Sequence, residues 1–187
     1  MHLIGLGHKK RTGKDECAKA IVATCQAHGI KGAVGSLSAP LMDAAHELFG
    51  YLGLQQAAVY DYEYELKDRP IPELVHKTPR DVWKLLGSLA RDVEQDALIK
   101  QVVWKANKRG VQVLVIPNVR FPNEAIALQK LGGKLFRVER PSVPPDPQDP
   151  FDTALDSWQV WDGVLKNEGT LEEWRLQCAE HFSQFIK

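Results

Sequence analysis

The stretch Leu3-Ile4-Gly5-Leu6-Gly7-His8-Lys9-Lys10-Arg11-Thr12-Gly13-Lys14-Asp15 decides the fold. Its apolar start reads as a buried strand that breaks into a basic, glycine-containing turn. Beyond the turn, Ala18, Ile21, Val22 and Cys25 recur at i, i+3, i+4 and i+7 until His28-Gly29 stops them. That spacing predicts an amphipathic helix of about three turns. A basic loop between a strand and a helix N-terminus is suited to an anion, because backbone N–H groups face it and the helix dipole favours negative charge. Gly13 permits close approach of the backbone, and Lys14 can reach terminal phosphates. The loop departs from the usual phosphate-binding spacing at two places: His8 stands at the first glycine position, and Asp15 replaces the magnesium-binding hydroxyl.

Working outward, Ala33 to Leu37 predicts a second strand and Pro40 to Phe49 a second helix. Residues 51–76 show no clear period, and their acidic, tyrosine-rich centre (Tyr60 to Glu65) reads as a solvated face, with an acceptor-base lid or a dimer contact as alternatives. Thr78-Pro79 is an N-cap with proline at the first helical position, opening a helix to about Val93. A further helix reaches Arg109-Gly110. Val111 to Ile116 is almost continuously apolar, as expected for a strand covered on both faces. Pro122 to Leu131 predicts a helix, Leu135 to Val138 a strand, and Gly163 to Leu165 a last short strand. Prolines at 141, 144, 145, 147 and 150 make 141–150 a stiff loop. Thr170-Leu171-Glu172-Glu173 fits a capping box that opens the last helix. Alternating strands and helices predict a parallel sheet with helices on both faces, in one α/β domain.

The chain has 187 residues, with 24 Lys plus Arg against 24 Asp plus Glu. Zero net charge argues against a general nucleic-acid binder. Three scattered cysteines suit neither a disulfide framework nor a zinc cluster, so a reducing, cytoplasmic setting is expected. No apolar run approaches the ~20 residues of a membrane span, and the first residues lack a signal-peptide pattern.

The helix after Thr78-Pro79 carries a second basic feature. With Arg80 at zero and ~100° per residue, Lys84 falls near +40°, Gly87 near −20° and Arg91 near +20°. Val82, Leu85, Leu86 and Leu89 occupy the opposite face, roughly 140–240° around, and are the expected core side. Stacked cations repel unless an anion relieves them. Arginine's planar fork makes a second phosphate the functional reading of this stripe; a solvated helix face is the structural one.

These motifs resemble those of the deoxynucleoside monophosphate kinases of tailed bacteriophages, a branch of the P-loop kinases. Gly7 to Asp15 is similar to that family's basic loop, and Ser38-Ala39-Pro40-Leu41 to its segment after the second strand. Thr78-Pro79-Arg80 with Gly87-Ser88 and Arg91 resembles its Thr-Pro-Arg helix. Val115 to Glu124 resembles its strand ending Asp-Val-Arg-Phe-Pro-Asn-Glu. The resemblance implies a P-loop kinase-like three-layer α/β sandwich with a parallel sheet of about five strands, often homodimeric. Residues 1–187 would form a single domain, with an acceptor-binding helical region at about 39–109 and the Pro-rich loop at 141–150. The implied activity moves the γ-phosphate of ATP, with Mg2+, onto a nucleoside 5′-monophosphate.

Within that reading Lys14, Arg11 and Arg120 carry the chemistry. His8, Lys9, Lys10, Thr12, Gly13, Asp15 and Glu16 line the ATP phosphates, and Asn167 and Gly169 the adenine. Ser38, Pro40, Lys67, Arg69, Arg80, Lys84 and Arg91 bind the monophosphate. Arg137 and Arg140 are lid candidates, and Asp15 and Asn118 (through water) would meet the magnesium. The five tryptophans read as packing residues, with base stacking an alternative role for Trp158 or Trp161. The sequence departs from the family pattern at Met42, Lys84, Glu16 and Asn118. Glu16 and Asn118 leave open a nucleotide-binding regulator or scaffold without turnover. A small-molecule kinase resembling phosphomevalonate kinases is a further alternative. Neither a nucleic-acid nor a membrane partner is expected.

Overall fold

The structure, a computed structural model, describes residues 1–144 and 146–184; Pro145 of the Pro-rich loop lies outside them. Five strands, β1 (His2–Gly7), β2 (Gly32–Val34), β3 (Val113–Val119), β4 (Lys134–Glu139) and β5 (Gly163–Lys166), form one sheet in the order β2-β3-β1-β4-β5. Each neighbouring pair is parallel. β1 is central, with Gly7 in register with Val119 on one side and Arg137 on the other. The carboxyl ends of all five strands therefore share one edge, where open α/β sheets place their ligands.

The chain packs as two compact units, one of residues 1–36 with 102–187 and the other of residues 37–101. In the first, alternation along β1 sorts the helices onto two faces. Ile4 and Leu6 pack with Cys17, Ala18, Ile21 and Cys25 of α1 (Lys14–Ala27) and with Trp174, Cys178 and Phe182 of a C-terminal helix, Leu171–Ser183. Gly5 faces the other way: a Cβ there would lie 2.4 Å from the buried Leu128 Cδ1, which would have to shift, so glycine suits the close approach of the helix Pro122–Lys130 to β1. Cys17 and Cys178 are fully buried, and their mutual hydrogen bond, together with burial, pushes the Cys17 thiol well up, as in an inert structural thiol.

Residues 37–101 build their own small core from a segment without sequence periodicity. The helices α2 (Ala39–Phe49), α3 (Ala57–Tyr62) and α4 (Pro79–Val93) enclose Met42, Ala45, Leu54, Tyr60, Leu74, Val82 and Trp83. Two expectations change here. Tyr60 is not part of a solvated face; it is 1% exposed, stacks edge-on against Trp83 at 5.0 Å, and accepts the Gln55 N–H at 3.0 Å. The side chains of Asp61 and Tyr64 in the same patch lie outside the described residues. On α4, Val82 is buried as expected, yet Leu85 and Leu89 are 57% and 60% exposed, and Trp83 takes their place in the core. The predicted cap is present: Thr78 Oγ1 accepts the Asp81 N–H, and the Asp81 carboxylate accepts the Thr78 N–H. Met42, one of the departures from the pattern the sequence resembles, is a core residue.

The chain passes back to the first unit through α5 (Ala97–Lys108). α6 is the helix Pro122–Lys130 named above, and α7 (Pro150–Thr153) is a single turn inside the segment expected to be loop. α8 is the C-terminal helix Leu171–Ser183, whose capping box pairs Thr170 with Glu173 as the sequence indicates. Among the described residues no helix is long and apolar enough to cross a membrane. The β4–α8 contact tests the core: Phe136 packs edge-on against Phe182 at 4.9 Å. Replacing Phe136 with alanine is expected to cost about 3–5 kcal/mol, read as a lowered urea midpoint.

Candidate active site

Gly7 ends the central strand, and the loop 8–13 turns through three left-handed residues: His8 (φ 85°), Arg11 (φ 56°) and Gly13 (φ 96°). His8 therefore keeps the backbone conformation that a glycine would supply at this place. Its buried side chain turns into the protein, where Nε2 donates to Asp156 Oδ1 at 2.8 Å and the ring meets Trp161 edge-on. Burial lowers the His8 pKa, partly offset by Asp156, so the imidazole is neutral near pH 7. Gly13 cannot be replaced without strain, since a Cβ would lie 2.5 Å from Asn167 Nδ2 and 2.8 Å from Trp174 Nε1.

Those two side chains brace the loop from behind. Asn167, just after β5, donates to the Thr12 carbonyl at 3.0 Å, and Trp174 on α8 donates to the Gly13 carbonyl at 2.9 Å. Asn167 thus works on the loop backbone, where the sequence suggested adenine. Trp174 is more than the packing residue it was expected to be.

Lys14 opens α1 and is 5% exposed. Its ammonium folds back into the loop, donating to the Lys9 carbonyl and, at 3.1 Å, to Thr12 Oγ1. Burial, reinforced by the nearby Arg120 guanidinium, pushes its pKa from 10.5 down to about 7, against the pull of Asp15 and Asp152. Arg120 follows β3 and is itself 3.6 Å from Asp152 Oδ1. Its backbone N–H and that of Phe121 are accepted by Glu124 at 2.8 and 3.1 Å, which caps α6. Thus Lys14 and Arg120 meet at the carboxyl end of the sheet.

Two of the remaining loop cations, Lys9 and Lys10, are engaged elsewhere. Lys9 Nζ reaches Asp156 Oδ1 at 2.8 Å, Lys10 Nζ pairs with Asp149, and the Lys10 N–H is accepted by Asp152 Oδ1 at 2.8 Å. The sequence pattern does not single out these aspartates, because they sit in and after a Pro-rich stretch, about 140–148 residues from their partners. The one available signal was their spacing, i, i+3 and i+7. Arg11 and Asp15 are exposed, and Asn118 is half-buried at the end of β3. Glu16 points away from the loop: Lys19 Nζ lies 2.8 Å from Oε1, and Arg175 Nε 2.9 Å from Oε2.

The other predicted residues fall into two groups. Arg137 belongs to an inner strand and pairs with Glu139 Oε1 at 2.7 Å, so it is not carried on a lid; Arg140 is exposed beyond β4, and Gly169 is exposed before α8. In the unit 37–101, Ser38 and Pro40 flank the start of α2, Lys67 is half-buried and Arg69 exposed. Arg80 grips Asp68 through Nε (2.6 Å) and Nη2 (3.0 Å). Gly87 leaves room for Arg91, whose guanidinium would lie 3.4 Å from a Cβ there, and Lys84 is exposed.

A loop of this form on the central strand of a 2-3-1-4-5 parallel sheet defines a P-loop kinase-like α/β protein. Comparison with known proteins narrows the class. The chain is 30% identical, over 200 residues covering 98% of it and 99% of the relative, to a protein of Acanthamoeba polyphaga mimivirus named "Putative deoxynucleotide monophosphate kinase". The chain belongs to the deoxynucleotide monophosphate kinase family. No protein-family model matches it. The crystal structure of an unliganded sugar kinase from Janibacter sp. HTCC2649 covers 99% of this chain and 93% of its own, at 16% identity and a TM-score of 0.42. A likeness at that level carries no argument.

The depressed Lys14 pKa has a definite sign. Between about pH 7 and 10.5 the unfolded chain holds a proton that the folded one does not, so stability rises with pH across that window. A polyphosphate held against Lys14 would restore the charged form. ATP binding at pH 8 is therefore expected to take up a proton, seen by calorimetry in buffers of different ionisation enthalpy, and Lys14→Met should remove the uptake.

Proposed function

We propose that the chain transfers the γ-phosphate of ATP to a deoxynucleoside 5′-monophosphate. The observation that carries this reading is the Lys14 ammonium, buried in its own loop beside Arg120 with neutral oxygens as its hydrogen-bond acceptors. A multiply charged anion is the ligand that relieves such a pair. The name of the mimivirus relative supports the acceptor. So does the α4 face with Arg80, Lys84 and Arg91, although Arg80 must exchange Asp68 for a phosphate.

In the transfer, an oxygen of the monophosphate's phosphate bonds to the γ-phosphorus while the bond from that phosphorus to the β–γ bridging oxygen breaks, leaving ADP. Such a step asks for positioning and charge neutralisation more than for covalent help from the protein. Lys14 and the loop N–H groups hold the ATP phosphates, and Arg120 stabilises charge on the transferred group. Magnesium bound to ATP would neutralise further phosphate oxygens. Asp15, in the first turn of α1, is the carboxylate that would hold it, with Asn118 acting through water. Those donors fit an ion carried mainly by phosphate and water; among the described residues no group of three His, Cys, Asp or Glu side chains forms a protein-only metal cage.

Glu16 supported the alternative of a regulator without turnover, because an inward carboxylate would repel phosphate. Its pairing with Lys19 and Arg175 turns that carboxylate away from the loop, so of the two departures behind this alternative only Asn118 still supports it. With Mg-ATP and each of the four deoxynucleoside monophosphates, ADP formation is expected with at least one. Lys14→Ala should abolish it, and Arg120→Ala should lower kcat about 10²–10³-fold with a smaller change in KM. Tight ATP binding with no turnover on any of the four would reject the assignment.

A further inference from the structure

The segment after the Pro-rich loop has no part in the transfer as described, yet it grips the phosphate loop at several points. Asp149, Asp152 and Asp156 lie at i, i+3 and i+7 around the single turn of α7, a spacing that sets them on one side. Asp149 takes the Lys10 ammonium. Asp152, 5% exposed, accepts the Lys10 N–H at 2.8 Å, lies 3.6 Å from Arg120 Nη1, and offers its carbonyl to Lys9 Nζ at 3.3 Å. Asp156 takes both Lys9 Nζ and His8 Nε2 at 2.8 Å. Leu155, 1% exposed, anchors the segment between the last two carboxylates. His8, Lys9 and Lys10 are thus each tied to this strap, which pairs the charges of both Lys9 and Lys10. The Lys9 contact holds the Asp156 carboxyl below its usual range, as expected of a carboxylate in steady use.

A polyphosphate would need the same cations. Its oxygens and the strap's carboxylates carry the same charge, so both cannot lie against Lys9, Lys10 and Arg120 without mutual repulsion. We propose that the 149–156 strap is an electrostatic latch on the phosphate loop, whose carboxylates compete with the polyphosphate of a nucleoside triphosphate and are displaced by it. The inference rests on the loop being the ATP site. Nucleotide affinity is then set by a difference: what the phosphates gain from the loop less what the strap gives up. Displacement also releases Arg120 from Asp152, so the guanidinium becomes available to the transferred group when ATP is in place. A strap that only braced the fold would behave in the opposite way, since ligand binding would stabilise it together with the loop.

The test uses the full chain and two readouts. In the wild type, hydrogen exchange at the backbone amides of 149–156 is expected to quicken when Mg-ATP is added, and inorganic triphosphate should act in the same direction. The double variant Asp149→Asn with Asp156→Asn, which leaves the buried Asp152 in place, is expected to bind ATP about three- to thirtyfold more tightly by calorimetry. Exchange slowed by ATP would overturn the latch, as would unchanged or weaker ATP binding by a variant whose circular dichroism shows it folded. The wild-type measurement decides even if the variant does not fold. The kinase reading fails separately. A chain that releases its strap with ATP but phosphorylates no monophosphate keeps the latch and loses the acceptor. One that phosphorylates a monophosphate while ATP protects the strap does the reverse. Absence of ATP binding in both chains overturns both.

Discussion

A buried ammonium needs oxygen atoms around it, and at the end of the central strand Lys14 takes them from its own loop. The Lys9 carbonyl must turn inward to be one of those oxygens. The next residues must then reverse the chain before α1 begins, which puts Arg11 and Gly13 in the left-handed region. With Thr12 and Gly13 arranged in this way, their carbonyls face the back of the loop, where Asn167 and Trp174 satisfy them. Elements more than 150 residues away in sequence are therefore required by the placement of a single side chain. β5 and α8 complete the loop as well as the sheet.

The parts of this arrangement legible in the sequence are those set by near neighbours. The strand-loop-helix at the start, the Thr78 and Thr170 caps and the alternation of strands and helices along the chain follow from short-range periodicity and capping chemistry. What could not be read depends on distant partners. The α4 pattern predicted one apolar face, but Tyr60 and Trp83 formed the core of that unit, and Leu85 and Leu89 were left at the surface. Tyr60 looked solvated because acidic residues surround it in sequence; in the fold its ring lies against Trp83 and its hydroxyl meets the Gln55 N–H. Asp149, Asp152 and Asp156 were hidden for a related reason. Proline spacing marks a segment as loop and is silent about what its carboxylates touch.

Departures from the family pattern become intelligible as paired changes. A histidine at the first loop position would be strained and misdirected by itself, since positive φ costs a non-glycine residue free energy. Here Asp156 accepts from the imidazole and Trp161 borders it. Trp161 also lies within about 3 Å of where a Gly7 Cβ would be, so Gly7, His8 and Trp161 form one mutually dependent contact. Glu16 is matched in the same manner by Arg175 across α1 and α8. His8 and Glu16 thus each have a partner that turns the side chain away from the loop's interior.

The cost of the arrangement lies in Lys14 as well. Taking an ammonium out of water without a counter-ion in direct contact disfavours the charged form, and the fold carries that penalty across the neutral range. An apolar side chain of similar length would avoid that penalty. A phosphate bound there would reverse the balance, because in a poorly hydrated setting its attraction to an already desolvated cation is stronger than it would be at an exposed one. On the proposed reading, the burial that disfavours the Lys14 charge in the empty loop is also what would strengthen its attraction to an anion, and negative charge nearby lowers both. Asp152, beside Arg120 and close enough to raise the Lys14 pKa, eases the penalty and weakens the pull at once.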